Sequence, residues 1–279
     1  MATVSQWIEG ARPRTWPAAV APVAAGTGSA IWQLRSIGEL DAGIVATVVL
    51  PRALLALAVA LALQIGVNYA NDYSDGIRGT DDDRVGPFRL TGSRAAAPAT
   101  VKRAAIGSLA AGAVFGVVLI AVAGIWSALV VGAAAVAAAW FYTGGKKPYG
   151  YLGLGELFVF VFFGLVAVNG TAYAITLRFG WVALLASIAI GLLAVAIMLT
   201  NNLRDIPTDT VAGKRTLAVR LGDRGTRLLF AATMLLPFAI IPARTVLRGA
   251  AGRDLIPVLG ASGKLELLFS LLLLAGLVL

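Results

Sequence analysis

The sequence predicts an all-α polytopic membrane protein, a bundle of helices crossing the bilayer several times. Three observations lead there. Of its 279 residues 59% are hydrophobic and only 13% are charged, about half the charged share of an ordinary soluble domain. The apolar residues come in runs near twenty long, about what a helix rising 1.5 Å per residue needs to cross a hydrocarbon core. Polar residues collect in a few segments between these runs, and no stretch reads as a water-facing domain. Residues 1–279 therefore read as one transmembrane domain.

The runs follow in order. The first, Thr15–Leu34, begins at Arg12-Pro13-Arg14-Thr15-Trp16, where interfacial Arg and Trp would anchor a first span. Residues 1–14 lack the pattern of a cleavable signal. Next come Pro51–Val67 with part of the run before it, Ala104–Gly124, Ile125–Tyr142, Leu157–Leu177 and Trp181–Thr200. The last two are Arg227–Leu247 and Leu265–Leu279, giving about eight spans. Gly and Ala are frequent within them, as expected where helices approach closely in lipid. Three polar cap segments lie between runs: 68–103, 143–155 and 201–226. Placing the amino terminus inside puts all three on the cytoplasmic side of the membrane. That face then holds most of the Lys and Arg residues, in keeping with the positive-inside rule. Arg244, Arg248, Arg253 and Lys264 depart from it, because eight full spans would place them outside. Pro237 and Pro242 interrupt the seventh run, which suits a broken hairpin that returns to its own side.

The formal net charge is +9, and the chain contains neither cysteine nor histidine. Thiolates, imidazole bases and the usual zinc ligands are excluded. A bound metal would be held by oxygen, which points to Mg²⁺. The basic residues sit in short loops, so they suggest topology, lipid head groups or an anionic substrate, and no nucleic acid.

The chain has 14 Asp and Glu, half of them at the ends of two apolar runs: Asp72, Asp75, Asp81, Asp82 and Asp83, then Asp205 and Asp209. Asn68, Asp72 and Asp75 would line one helical stripe and Asn201, Asp205 and Asp209 another, a weak internal repeat. Like charges at such spacing repel unless a cation lies between them. Two facing acidic stripes suit Mg²⁺, which binds through a few carboxylates and substrate phosphates. Arg78, Lys146, Lys147, Lys214 and Arg215 lie close in sequence, and cations of both kinds around one pocket fit a diphosphate. The segment Tyr142–Glu156 adds glycines that let backbone approach a ligand.

These residues resemble the UbiA-type intramembrane aromatic prenyltransferases. Asn68, Asp72 and Asp75 match that family's first motif, and Asn201, Asp205 and Asp209 its second. The Arg12–Trp16 start and the Tyr142–Glu156 loop match as well, so the likeness runs to about Asp223. Within the family, Asn71–Pro87 looks most like the branch acting on 1,4-dihydroxy-2-naphthoate in menaquinone synthesis, in an actinobacterial style. The resemblance implies a UbiA-like bundle of nine spans against the eight found, so a helix before Gly252–Leu259 looks missing.

It also implies a polyprenyl diphosphate and an aromatic acceptor as substrates, giving demethylmenaquinone with loss of the acceptor's carboxylate. Mg²⁺ on Asp72, Asp75, Asp205 and Asp209 would grip the diphosphate, with Lys146 as a catalytic cation beside Lys214 and Arg215. Asn68, Asn201, Arg78 and Tyr142 would touch substrate, and Arg12 or Arg14 would take the acceptor's carboxylate. The alternatives are another acceptor such as 4-hydroxybenzoate, a CDP-alcohol phosphotransferase or a secondary transporter. The phosphotransferase pattern opens at Asp72-x-x-Asp75-Gly76 but lacks its second half. A transporter fits poorly with carboxylates clustered at span ends.

Overall fold

A computed structural model describes residues 2–79, 88–234 and 240–278. Asp81, Asp82 and Asp83 of the first acidic stretch, and Pro237, lie outside these. The described residues form helices and loops without a strand. A short helix α1 (Val4–Gly10), closed by a Thr3–Gln6 capping box, leads into α2 (Pro17–Ser36). There follow α3 (Ala42–Gly76), α4 (Pro98–Ala123), α5 (Ala128–Phe141), α6 (Gly155–Thr176) and α7 (Trp181–Val211). The chain ends with α8 (Leu217–Thr233), α9 (Ile240–Leu247) and α10 (Leu255–Val278). Among the described residues five helices, α3, α4, α6, α7 and the segment containing α10, are long and apolar enough to cross a membrane.

Small residues set how closely the helices approach. A methyl added to Gly66 of α3 would lie 2.6 Å from Leu109 of α4, and one on Gly112 would lie 2.8 Å from Leu63. These two helices therefore run antiparallel at backbone contact. Gly28 of α2 abuts Leu274 of α10, while Gly263 faces Arg14 and Pro17, so α2 and α10 run parallel. At one end of the bundle, Arg52 donates to the carbonyls of Val122, Ala174 and Ile175, satisfying acceptors that two helix ends leave open. Trp32 and Trp181 meet edge to face at the same end. The opposite end carries Ala11, Tyr69, Leu90 and Val101 in one buried cluster, and the acidic motifs lie there.

Two expectations need correction. Asn68 and Asn201 do not begin loops. Helix α3 continues to Gly76 and α7 to Val211, so both acidic motifs ride on the last two turns of long helices. Polarity marks where a helix leaves lipid, and the helix itself goes on. The second correction concerns the run Arg227–Leu247, which is not one span. Arg227 of α8 donates to the carbonyls of Val246 and Ala250 at 2.5 and 2.8 Å, so the chain turns back on itself through α9. Arg244, Arg248 and Arg253 thereby return to the motif-bearing end, and α10 leaves from there. The broken-hairpin reading of that region holds.

Candidate active site

Asp75 and Asp209 meet from two different helices. Lys214 Nζ lies 3.1 Å from Asp75 and 3.8 Å from Asp209, with its side chain only 11% exposed. Lys214 reaches that position because α7 ends one turn earlier: its amide closes on the Asp209 carbonyl and Gly213 takes a left-handed φ of 71°. Tyr151 donates its hydroxyl to Asp75 at 2.7 Å, and its ring lies under Lys214 and Arg78. Arg89 approaches the other oxygen of Asp75 at 3.7 Å. Lys214 and Arg89, with Arg78 across the Tyr151 ring, thus bring three cations from two loops around carboxylates that are themselves nearly buried.

The other expected ligands are placed differently. Asp72 is fully buried and accepts the amide N–H groups of Leu90 and Thr91, one on each oxygen, at 2.6 and 2.8 Å. It clamps the chain that follows the first motif. Asp205 forms a two-pronged pair with its neighbour Arg204 at 2.7 and 2.8 Å. Asn68 faces away from the cluster, donating to the Ala11 carbonyl and to Thr15. Arg78 donates to the carbonyls of Thr143 and Gly145 and so pins the α5–α6 loop. Lys146 is exposed and makes no contact with the acidic cluster among the described residues; Lys214 takes the central position expected of it. Arg215 is exposed, and its amide donates to the Tyr151 carbonyl. Arg12 has a left-handed φ of 54° and is partly buried, whereas Arg14 is exposed and Asn201 partly so.

Tyr142 follows α5 and packs edge to face against Tyr149. Burial comes first among the causes that push its hydroxyl well above the usual phenol range, followed by the nearby charges of Glu156, Asp75, Tyr149 and Asp209. It therefore stays a neutral hydrogen-bonding group. The loop between α5 and α6 is tied at both ends to the acidic helices. Thr143 donates to Asn71 of α3 at 2.8 Å, and Asn202 of α7 donates to Glu156 at 2.8 Å. Sequence reasoning missed Asn71, Arg89, Tyr151 and Glu156 as site residues. Asn71 carried a signal, since it stands four residues before Asp75 on the same helical face. Arg89 and Tyr151 sit in irregular segments where no periodicity points to them.

Asp75 and Asp209 offer only carboxylate oxygens, which fits a hard cation, and an ammonium already lies between the two carboxylates. Among the described residues no three acidic side chains form a closed metal cage. An ion bound here would complete its shell with phosphate oxygens and water, as Mg²⁺ does. A polar, cation-rich cluster of this kind at the end of an apolar helical bundle is suited chemically to a lipid-linked anion.

Comparison with known proteins narrows this class. Residues 15–279 match the model of the UbiA prenyltransferase family, and the chain belongs to that family. It is 51% identical to the 1,4-dihydroxy-2-naphthoate octaprenyltransferase of Mycobacterium tuberculosis, over 97% of this chain and 96% of that one. It is 40% identical to the Escherichia coli enzyme of the same name, over 82% and 72% of the respective chains. Among solved structures it is similar to a UbiA homologue from Archaeoglobus fulgidus bound to GPP and Mg²⁺. That match has a TM-score of 0.57 at 15% identity, covering 97% and 99% of the two chains, and it speaks to the fold. The chain is a multi-pass membrane protein.

Proposed function

We propose that this protein transfers a polyprenyl group from a polyprenyl diphosphate to 1,4-dihydroxy-2-naphthoate, with loss of the carboxylate, giving the quinol form of demethylmenaquinone. The observation that carries the chemistry is the convergence of Asp75 and Asp209 on one cation at the mouth of an apolar bundle. The naphthoate assignment rests on likeness to the mycobacterial and Escherichia coli enzymes. In the bacterial plasma membrane the motif-bearing end faces the cytoplasm, where positively charged loops belong.

Asp75 and Asp209 would hold Mg²⁺, which when bound neutralises the diphosphate as a leaving group. Lys214 and Arg89 add fixed positive charge beside it, stabilising the negative charge that grows as the allylic carbon–oxygen bond breaks. Tyr151 and Arg78 hold Lys214 and the loop in place. Asp72 and Asp205 act at one remove, Asp72 by fixing the strand of chain that carries Arg89 and Asp205 through Arg204. The apolar helices keep water from the allylic cation.

The test uses purified protein in lipid with a polyprenyl diphosphate, Mg²⁺ and 1,4-dihydroxy-2-naphthoate, read by mass spectrometry. Demethylmenaquinol, detected as such or as the quinone that air makes of it, should form, vanish with EDTA, and be absent from Asp75→Asn and Asp209→Asn proteins that still insert and fold. Product with 4-hydroxybenzoate in place of the naphthoate would move the acceptor. Undiminished turnover in both variants would remove the site.

A further inference from the structure

Glu156 is the one buried carboxylate near this site to which the diphosphate chemistry assigns nothing. It opens α6 and is 5% exposed. Asn202 donates to its Oε1 at 2.8 Å, and among the described residues no Lys or Arg pairs with it. A carboxylate is costly to bury without a cation, and ionisable groups kept at membrane depth are usually functional. Its surroundings are suited to a flat ring. A methyl added to the neighbouring Gly155 would lie 3.2 Å from both the Tyr142 ring edge and the Met198 sulfur, so an aromatic ring and a thioether pack against the turn that carries Glu156. Its partner Asn202 stands seven residues before Asp209 on α7, so Glu156 lies further along the helix into the bundle than the diphosphate cluster. Asn202, Asp205 and Asp209 share one stripe of α7.

We propose that Glu156, held by Asn202 on the turn that packs against Tyr142 and Met198, accepts a hydrogen bond from the acceptor hydroxyl next to the ring carbon that takes the prenyl group. This rests on the prenyl-transfer reading above and adds the residue that activates the acceptor. As the allylic carbon–oxygen bond breaks and its electron pair leaves with the diphosphate, the hydroxyl proton passes to Glu156. Electron density from that oxygen drives formation of the ring-to-allyl carbon–carbon bond. The bond to the carboxylate then breaks, carbon dioxide leaves, the electron pair restores the aromatic ring, and the proton returns from Glu156 to oxygen.

Steady-state kinetics of wild type, Glu156→Gln and Glu156→Asp with 1,4-dihydroxy-2-naphthoate test this. Binding of geranyl thiolodiphosphate and thermal stability are measured on the same preparations. In Glu156→Gln, kcat/KM for the naphthoate should fall about 100-fold, the lower range for losing a positioned base. Glu156→Asp should recover part of it. KM for the diphosphate, thiolodiphosphate binding and stability should stay near wild type. Activity of Glu156→Gln should climb toward alkaline pH, as solution takes over removal of the hydroxyl proton. Activity within threefold of wild type would overturn the proposal. So would a loss shared by thiolodiphosphate binding and stability without alkaline recovery, since that marks a merely structural role. Wild type that binds the thiolodiphosphate but never prenylates the naphthoate would overturn the acceptor assignment, and this proposal with it.

Discussion

At the scale of single residues, Tyr151 shows how the site is held. Its hydroxyl bonds to Asp75 at 2.7 Å, while Arg78 and Lys214 lie 5.4 and 4.8 Å from its ring centre. Tyr151→Phe keeps the ring and loses only the hydrogen bond. A bond to a charged group contributes about 1.5–3 kcal/mol, so kcat/KM should fall at least about tenfold with stability little changed. Tyr151→Ala should fall further, because Lys214 then loses its platform; equal activity of Phe and Ala variants would show that the ring contributes nothing. Asp75 and Asp209 were legible in the sequence because helical spacing puts them at matching helix ends. Spacing could not tell them from Asp72 and Asp205. Whether a carboxylate faces the pocket depends on who else claims it. Asp72 is claimed by amides 18 and 19 residues away and Asp205 by its neighbour. The same limit hid the choice between Lys146 and Lys214, each of which follows a glycine in a loop.

At the scale of elements, the site depends on how closely α6 and α7 cross. Gly164 and Gly191 meet there: a methyl on Gly164 would lie 2.6 Å from Gly191 Cα and 2.7 Å from the Ser187 carbonyl. Backbone atoms cannot yield as a side-chain tip can. Gly164 lies in a π-helical stretch, Phe160–Val166, a wider turn of the kind often found at functional sites. Gly164→Ala should therefore cost about 1–3 kcal/mol, the usual penalty for overpacking. By moving α7 it should also lower turnover, since α7 carries Asp209 and Asn202. Gly170→Ala, one to two turns along the same helix, meets nothing within 4 Å. It should be neutral or slightly stabilising because alanine favours helix. Equal melting temperatures for the two variants in detergent would show that the crossing tolerates a methyl. Abundant glycine in the apolar runs announced close packing in general. It did not say which glycines meet, because that depends on the relative rotation of two helices far apart in sequence.

At the scale of the whole molecule, the last question is what lets a chain with one interrupted run keep both its termini and its charges on workable sides. The eight apolar runs were visible from length and composition, whereas the hairpin was only suggested by two prolines and four misplaced cations. Its closure lies in contacts no pattern encodes. Arg227, whose side chain is 10% exposed, spans from Asp223 on its own helix to the carbonyls of Val246 and Ala250 on the returning limb. The two halves of this anchor should differ in weight. The Asp223 side chain is 62% exposed, and an exposed ion pair contributes about 1 kcal/mol or less. The buried guanidinium instead satisfies two carbonyls at the end of a short helix, and each such charged hydrogen bond contributes about 1.5–3 kcal/mol. Arg227→Met should thus destabilise the protein by several times more than Asp223→Asn, in SDS unfolding or thermal denaturation in detergent. The hydrogen bonds from Arg227 and its charge hold the Asp223 carboxyl below its ordinary range against slight burial. The folded state therefore binds that proton less readily than the unfolded chain. The small stabilisation from the pair is complete above the usual carboxylate range and is lost as pH falls through the depressed value. Acid should consequently leave most of the hairpin's anchorage intact. If mild acid or Asp223→Asn instead matched the loss seen with Arg227→Met, the ion pair and not the carbonyl contacts would be what turns the chain back.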